Sequence, residues 1–195
     1  FYDKAGRLKE VKTGSNIIAQ YEYDAYGRLI RTIEGTKTTL RLPMGNETAY
    51  EKVIESGMPT VERRYIVALG RYIARDEIIN GVTSRVYYHG DHLGSTRVLS
   101  GDDTGSFRYD PFGNVVSATG EALNHSHQFT GKPVDSTGLS YFGARFYDPT
   151  IGRFITMDPA KDGKSWWVYC NNNPLKYTDP TGMIPTPSEA AYMAQ

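Results

Sequence analysis

Apolar positions fall in short β-branched groups, Ile17-Ile18, Ile66-Val67 and Val115-Val116, separated by glycine-centred breaks. No window of about eleven residues keeps an i, i+3, i+4, i+7 stripe, so the pattern predicts strands rather than helices. One helix start is read at Ser188 to Met193, with Ser188 as its cap. Asn80-Gly81, between Ile78-Ile79 and Val82-Thr83, is a two-residue hairpin signal, and Gly14, Gly35 and Gly57 mark turns on nearly the same beat.

The beat has a sequence behind it. Tyr2-Asp3-Lys4-Ala5-Gly6-Arg7-Leu8 returns as Tyr23-Asp24-Ala25-Tyr26-Gly27-Arg28-Leu29, an offset of 21 residues. Variants stand at Tyr109-Asp110-Pro111-Phe112-Gly113 and at Tyr147-Asp148-Pro149-Thr150-Ile151-Gly152. In this unit the Asp accepts backbone N–H groups at the start of a turn, the Gly closes it, and the Tyr ring lies on the neighbouring unit. Each period is then one hairpin. A hairpin has little apolar area of its own, so the units gain stability by stacking. The expected fold is all-β: stacked hairpins in a curved or spiralling sheet. The chain opens inside a repeat, so we expect a fragment whose first edge is covered by upstream repeats or by self-association.

Composition sharpens this picture. Tyr (15) outnumbers Phe (7) and Trp (2) together, which suits half-buried sheet positions where the hydroxyl reaches a polar partner. Twenty-two basic residues balance 22 acidic ones, so no field gathers nucleic acid or anionic lipid. The length of 195 residues suits one core or a piece of something larger. Cys170 is the only cysteine, which excludes an intrachain disulfide. No apolar run approaches the roughly 20 residues of a membrane segment, and Phe1 to Gly6 do not read as a signal peptide.

Residues 87 to 183 contain a longer ordered set: Tyr87-Tyr88-His89-Gly90-Asp91-His92-Leu93-Gly94-Ser95-Thr96-Arg97, then Gly138-Leu139-Ser140-Tyr141-Phe142-Gly143-Ala144-Arg145-Phe146-Tyr147-Asp148-Pro149, Gly152-Arg153-Phe154-Ile155-Thr156-Met157-Asp158-Pro159, and Asn172-Asn173-Pro174 through Asp179-Pro180-Thr181-Gly182-Met183. This resembles the repeat-associated core of the YD-repeat, or Rhs (rearrangement hot spot), proteins, which include the C components of bacterial Tc toxins. The resemblance implies three parts: YD-repeat hairpins at 1–86, the core region at 87–183, and the start of a variable toxin segment at 184–195. It implies a shell that encloses its own C-terminal toxin segment and cuts the chain to free it. Pro174 and Asp179-Pro180-Thr181-Gly182-Met183 match the family's cleavage motif, with Met where Leu is usual. The implied scissile bond is Met183–Ile184. The implied partners are the toxin segment, upstream repeats, and secretion-system or immunity proteins, and the implied destination is outside the producing bacterium, by secretion or injection. No cofactor is implied.

The same resemblance makes Asp158 and Asp179 an aspartyl-type autoprotease pair with Arg145 as helper. Two adjacent carboxyls sharing a proton supply a base for water and an acid for the leaving group. Arg145, bidentate to a carboxylate or to the developing oxyanion, would orient the pair. Asp158 and Asp179 are one period apart; perfect register still leaves them about 10 Å apart, so a bulge or turn must close the gap. From the residues alone, Asp-Pro is an ordinary turn initiator, which fits a non-catalytic structural or adhesion β-module equally well. Asp148 reads as structural, and an Arg stacked on Tyr141 or Tyr147 would look like Arg145. The four histidines at 89, 92, 125 and 127 raise a metal- or sugar-binding domain as a third reading, and Cys170 with a His base a fourth. Trp166-Trp167-Val168-Tyr169 reads as a core strand.

Overall fold

The computed structural model describes residues 1–161 and 165–188, and the chain falls into two units, Phe1–Tyr87 and Tyr88–Gln195. The expectation of an all-β chain holds: apart from three single 3-10 turns, every regular element among the described residues is a strand.

The first unit is an antiparallel meander. Strands β1 (Glu10–Thr13), β2 (Asn16–Tyr23), β3 (Leu29–Glu34), β4 (Lys37–Met44), β5 (Glu47–Glu55), β6 (Val61–Ala68), β7 (Arg71–Ile79) and β8 (Val82–Gly90) each pair with the next. The predicted hairpin at Asn80-Gly81 has φ of 52° and 80°, the doubly left-handed turn that matches strand twist, and Ile79 faces Val82 across it. Two reversals went unread in the sequence. Gly45 closes β4 onto β5, and Leu69-Gly70 closes β6 onto β7 with Leu69 at φ 52° and fully exposed. Leucine rarely takes that conformation, so nothing local announces the turn.

The repeat turn forms as its residues require. Asp3 Oδ1 accepts the N–H groups of Ala5 and Arg7, both at 2.9 Å, and Asp24 Oδ1 does the same for Tyr26 and Arg28. The Arg side chain returns to the second carboxylate oxygen at 2.7 and 2.8 Å. Tyr23 then reaches back one repeat: its hydroxyl donates to the Leu8 carbonyl at 2.6 Å, and its ring lies 4.8 Å from the Arg7 guanidinium. Along one face of the sheet, Tyr21, Thr32, Thr39 and Val53 form a buried row. Beside it run Arg41, Glu51, Arg63 and Glu77. Glu51 tolerates full burial because Arg41 (3.1 Å), Tyr65 Oη (2.8 Å) and Arg63 (3.7 Å) surround its carboxylate.

The second unit opens with a meander of β9 (Thr96–Gly101), β10 (Gly105–Tyr109) and β11 (Val115–Gly120). Beyond it the hairpin rhythm gives way to short strands: β12 (Ser140–Tyr141), β13 (Phe146–Asp148) and β14 (Arg153–Phe154) form one small sheet, and β15 (Tyr177–Thr178) pairs with β16 (Thr186–Pro187). These surround an aromatic core of Leu93, Phe129, Phe142, Tyr147, Phe154, Tyr169 and Cys170. Ring centroids lie 4.8 Å apart for Tyr147 and Tyr169 and 5.5 Å for Phe142 and Tyr169, the tilted and edge-on arrangements aromatic pairs favour. Tyr147 satisfies its buried hydroxyl on the Phe112 carbonyl at 2.6 Å.

Two expectations change here. Trp166 to Tyr169 is not a core strand. Val168 alone bridges to Arg153, Trp167 is half exposed, and only Tyr169 enters the core. The reason is that the Trp166 carbonyl is taken by groups outside any ladder, the Arg145 guanidinium and the Asp158 N–H. The helix start at Ser188 to Met193 lies outside the described residues except for Ser188, which is buried and donates its N–H to the Lys176 carbonyl at 2.8 Å. Among the described residues no helix is long and apolar enough to cross a membrane.

Candidate functional site

Arg145, Asp158 and Asp179 converge in the second unit. Arg145 ends the turn that leads into β13, Asp158 follows β14, and Asp179 follows β15 directly. All three are nearly excluded from solvent, at 3%, 4% and 1% exposure. One guanidinium nitrogen, Arg145 Nη2, lies 3.4 Å from Asp158 Oδ2 and 3.6 Å from Asp179 Oδ2. The two carboxylate oxygens are therefore no farther apart than those legs laid end to end, 7.0 Å. The gap left by repeat register is closed because both aspartates sit on loops beyond strand ends.

The expected bidentate grip is absent. Arg145 shares a single nitrogen between the two acids and spends the others on backbone: Nη1 donates to the Trp166 carbonyl at 2.8 Å and Nε donates to the Gly182 carbonyl. The Trp166 carbonyl also receives the Asp158 N–H at 3.0 Å, tying helper to acid. The guanidinium stacks on Phe154, 3.7 Å from the ring centroid, rather than on Tyr141 or Tyr147.

Asp179 is a repeat-turn aspartate that has been buried. Its Oδ1 accepts the N–H groups of residues two and four ahead, Thr181 at 3.3 Å and Met183 at 3.1 Å. Asp91, with Leu93 and Ser95, and Asp110, with Phe112 and Asn114, make the same pair of bonds. Its other oxygen, Oδ2, is fully buried and accepts no hydrogen bond, facing Arg145 instead. The turn and the acid pair are thus one arrangement, since each oxygen has a separate task. Asp148, by contrast, binds only its own turn through Thr150, at 2.9 and 2.6 Å.

The loop from Asp179 to Met183 is pinned carbonyl by carbonyl. Lys132 Nζ donates to Pro180 O at 2.8 Å, Ala144 N donates to Thr181 O at 2.9 Å, and Arg145 Nε holds Gly182 O. The Met183 carbonyl, next in line, takes none of these donors. Gly182 has φ +73°, and a Cβ there would stand 2.8 Å from the Phe142 carbonyl oxygen, so only glycine lets the loop approach this closely. On the far side, Thr178 faces Thr186, which closes the segment holding Met183 and Ile184 into a loop. Ile184 is half exposed. Lys132 escaped sequence reading because a lone lysine on a turn has no signature and its partner is 48 residues away.

Burial raises Asp179 above the ordinary carboxyl range; Arg145 and the backbone N–H groups of Thr181, Gly182 and Met183 oppose this without cancelling it. Burial likewise lowers Arg145, against the pull of Asp158 and Asp179. The arrangement holds two carboxyl groups on one cation beside a peptide loop, one of them biased toward its neutral, proton-donating form. The other candidates fare differently. The Cys170 thiol is pushed up to about 12 by burial, far from a nucleophilic thiolate. His125 contacts Asp103 (3.1 Å) and Tyr88 (3.4 Å), while His89 contacts Ser100 (2.7 Å). Among the described residues no group of three or more His, Cys, Asp or Glu is placed to hold a metal ion.

A family model described as RHS Repeat matches residues 2–39. The chain is 37% identical over 99 residues to Salivary gland surface protein 1 of Aedes aegypti, covering 48% of this chain and 3% of that one. It is 34% identical over 108 residues to Toxin subunit YenC1 of Yersinia entomophaga, covering 50% and 11%. The crystal structure of TcdB2-TccC3 aligns with 94% of this chain and 10% of its own, with a TM-score of 0.79 at 23% identity, a likeness of fold. The chain therefore spans only a small part of each of these proteins.

Proposed function

Because this is an RHS-repeat chain, related in sequence to a Yersinia toxin subunit and folded as part of TcdB2-TccC3 is folded, we propose that it forms the closing end of a toxin-encapsulating β-shell. In this reading it cuts its own backbone once, at Met183–Ile184. The supporting observation is the pairing of Asp158 and Asp179 on Arg145 Nη2 while Asp179 also holds the Met183 N–H.

The chemistry runs as single-turnover acid–base hydrolysis. Asp158 takes a proton from water, whose oxygen attacks the Met183 carbonyl carbon. Asp179, biased toward its neutral form by burial, gives its proton to the carbonyl oxygen. Collapse of the tetrahedral intermediate breaks the C–N bond as Asp158 passes the proton it took from water to the Ile184 nitrogen and Asp179 recovers its own from a hydroxyl, leaving a free amine and a Met183 carboxyl group. Arg145 keeps the two carboxyls together and offers positive charge beside the developing negative oxygen. The freed C-terminal segment is the cargo, the whole protein assembles with other toxin components, and it acts outside the producing cell by secretion or injection.

Intact mass tests this. The wild-type chain should yield pieces 1–183 and 184–195, together heavier by one water, and Asp158→Asn should stay whole. A wild-type chain of unchanged mass after folding refutes the reading. That result favours a structural or adhesion module, for which the likeness to a surface protein and the turn bonds of Asp179 speak.

A further inference from the structure

The cleavage reading assigns roles to three charged side chains, yet a fourth is buried at the same loop. Lys132 is 5% exposed, and its Nζ donates to the Pro180 carbonyl at 2.8 Å. An ammonium group is strongly hydrated, and burying it gives up that hydration for contacts within the protein. A neutral side chain could fill the same volume without this cost, so a lysine here needs a reason beyond packing. Lys132 is thus buried along with Arg145, Asp158 and Asp179.

The place of the bond supplies the reason. Three successive carbonyls, of Pro180, Thr181 and Gly182, are held by three donors from outside the loop: Lys132 Nζ, Ala144 N and Arg145 Nε. Asp179 holds the intervening N–H groups of Thr181 and Met183. Pinned at each of these points, the backbone has little freedom left to choose where the next carbonyl, that of Met183, is directed. Lys132 fixes the first of the three, one residue from the acid itself. Its own backbone is anchored independently, with its N–H on the Phe129 carbonyl at 3.0 Å and its carbonyl receiving the Gln128 N–H at 3.1 Å. Phe129 is a core residue, so the pin is mounted on the aromatic core rather than on the loop it restrains.

We infer that Lys132 is a positioning residue for the self-cleavage, holding the loop from Asp179 to Met183 so that the Met183 carbonyl meets the Asp158–Asp179 pair. This rests on the cleavage reading above, and the experiment separates the two. A misplacement of about 1 Å costs on the order of a hundredfold in rate. Followed by intact mass after refolding the full chain, Lys132→Met should cut at Met183–Ile184 about a hundredfold more slowly than wild type. Lys132→Arg, which keeps a cationic donor, should regain about tenfold of that loss. Should Lys132→Met fail to fold, Lys132→Gln is read in the same way. In an Asp158→Asn background, where the chain stays whole, Lys132→Met should speed hydrogen exchange at Thr181 and Met183 while leaving β9 to β11 protected.

A wild type that cuts while Lys132→Met cuts within about threefold of it overturns the positioning role alone. So does equal loss in Lys132→Met and Lys132→Arg, or exchange that rises over the whole unit, since each marks a packing role. A wild type that never cuts overturns the cleavage reading and this role together.

Discussion

In an Asp158→Asn background, Arg145→Met leaves Asp179 as the one carboxyl of the trio and removes the guanidinium beside its buried Oδ2. The loss has two parts. The first does not depend on pH. The Gly182 carbonyl loses its donor, whereas the Trp166 carbonyl keeps the N–H of residue 158, so the cost is about 1–2 kcal/mol for one stranded carbonyl. The second part follows Asp179. Without the guanidinium at 3.6 Å, the largest influence opposing burial is gone, and burial already holds this carboxyl above its ordinary value of 3.8.

Where the folded-state pKa lies above the unfolded one, stability is intact below the unfolded value and is lost as pH rises through the folded value. The loss cannot exceed the cost of keeping the carboxyl neutral. At pH 7 that is about 3.2 pH units at about 1.4 kcal/mol each, a ceiling near 4.5 kcal/mol. The double variant should therefore trail Asp158→Asn by about 1–2 kcal/mol near pH 4 and by about 3–5 kcal/mol at pH 7, in line with removing one partner of a buried pair. Urea unfolding at pH 4, 5.5 and 7, with the m-value checked for constancy, measures this. A deficit equal at all three pH values, or one that shrinks as pH rises, would refute the argument that Arg145 balances a buried acid.

Two further outcomes follow from the same packing. Gly182→Ala forces a Cβ to 2.8 Å from the Phe142 carbonyl oxygen at φ +73°, whereas Gly138→Ala, at φ +80°, meets nothing within 4 Å. Measured by urea midpoint in the Asp158→Asn background, Gly138→Ala should cost about 1–2 kcal/mol from backbone strain alone. Gly182→Ala should cost about 2 kcal/mol more from the added clash; equal costs would show that the loop relaxes freely. Cys170, fully buried with its thiol raised from 9.0 to about 12, should react with iodoacetamide at pH 8 about a thousandfold more slowly in the folded chain than in urea. Comparable rates would place it outside the core.

Residues that act on their immediate neighbours were legible before any coordinates. The Asp of the first two repeats binds amides two and four residues ahead, and its Gly and Arg belong to the same few residues. A 21-residue identity therefore translates directly into a recurring turn. Asn80-Gly81 specified its hairpin for the same reason, as both left-handed positions were written side by side. The core motifs also singled out Arg145, Asp158 and Asp179, though as members of an ordered resemblance rather than by their own chemistry. The tryptophan pair misled because apolar composition cannot tell a strand from a segment in which the Trp166 carbonyl serves Arg145 and Asp158.

Sequence by itself thus determined the all-β class, the repeat turns and which aspartates could begin a turn, since the turn hydrogen bonds close within four residues. Tertiary structure alone decided that Asp179 would be sealed from water while Asp3 and Asp24 bind an arginine of their own turn at the surface. It alone brought Arg145 between two acids and Lys132 onto a carbonyl 48 residues away. The physical reason is that a turn depends on local geometry, whereas desolvation depends on what the rest of the chain packs around it. The same Asp-x-x-Gly turn is a surface corner at Asp3 and a buried acid at Asp179.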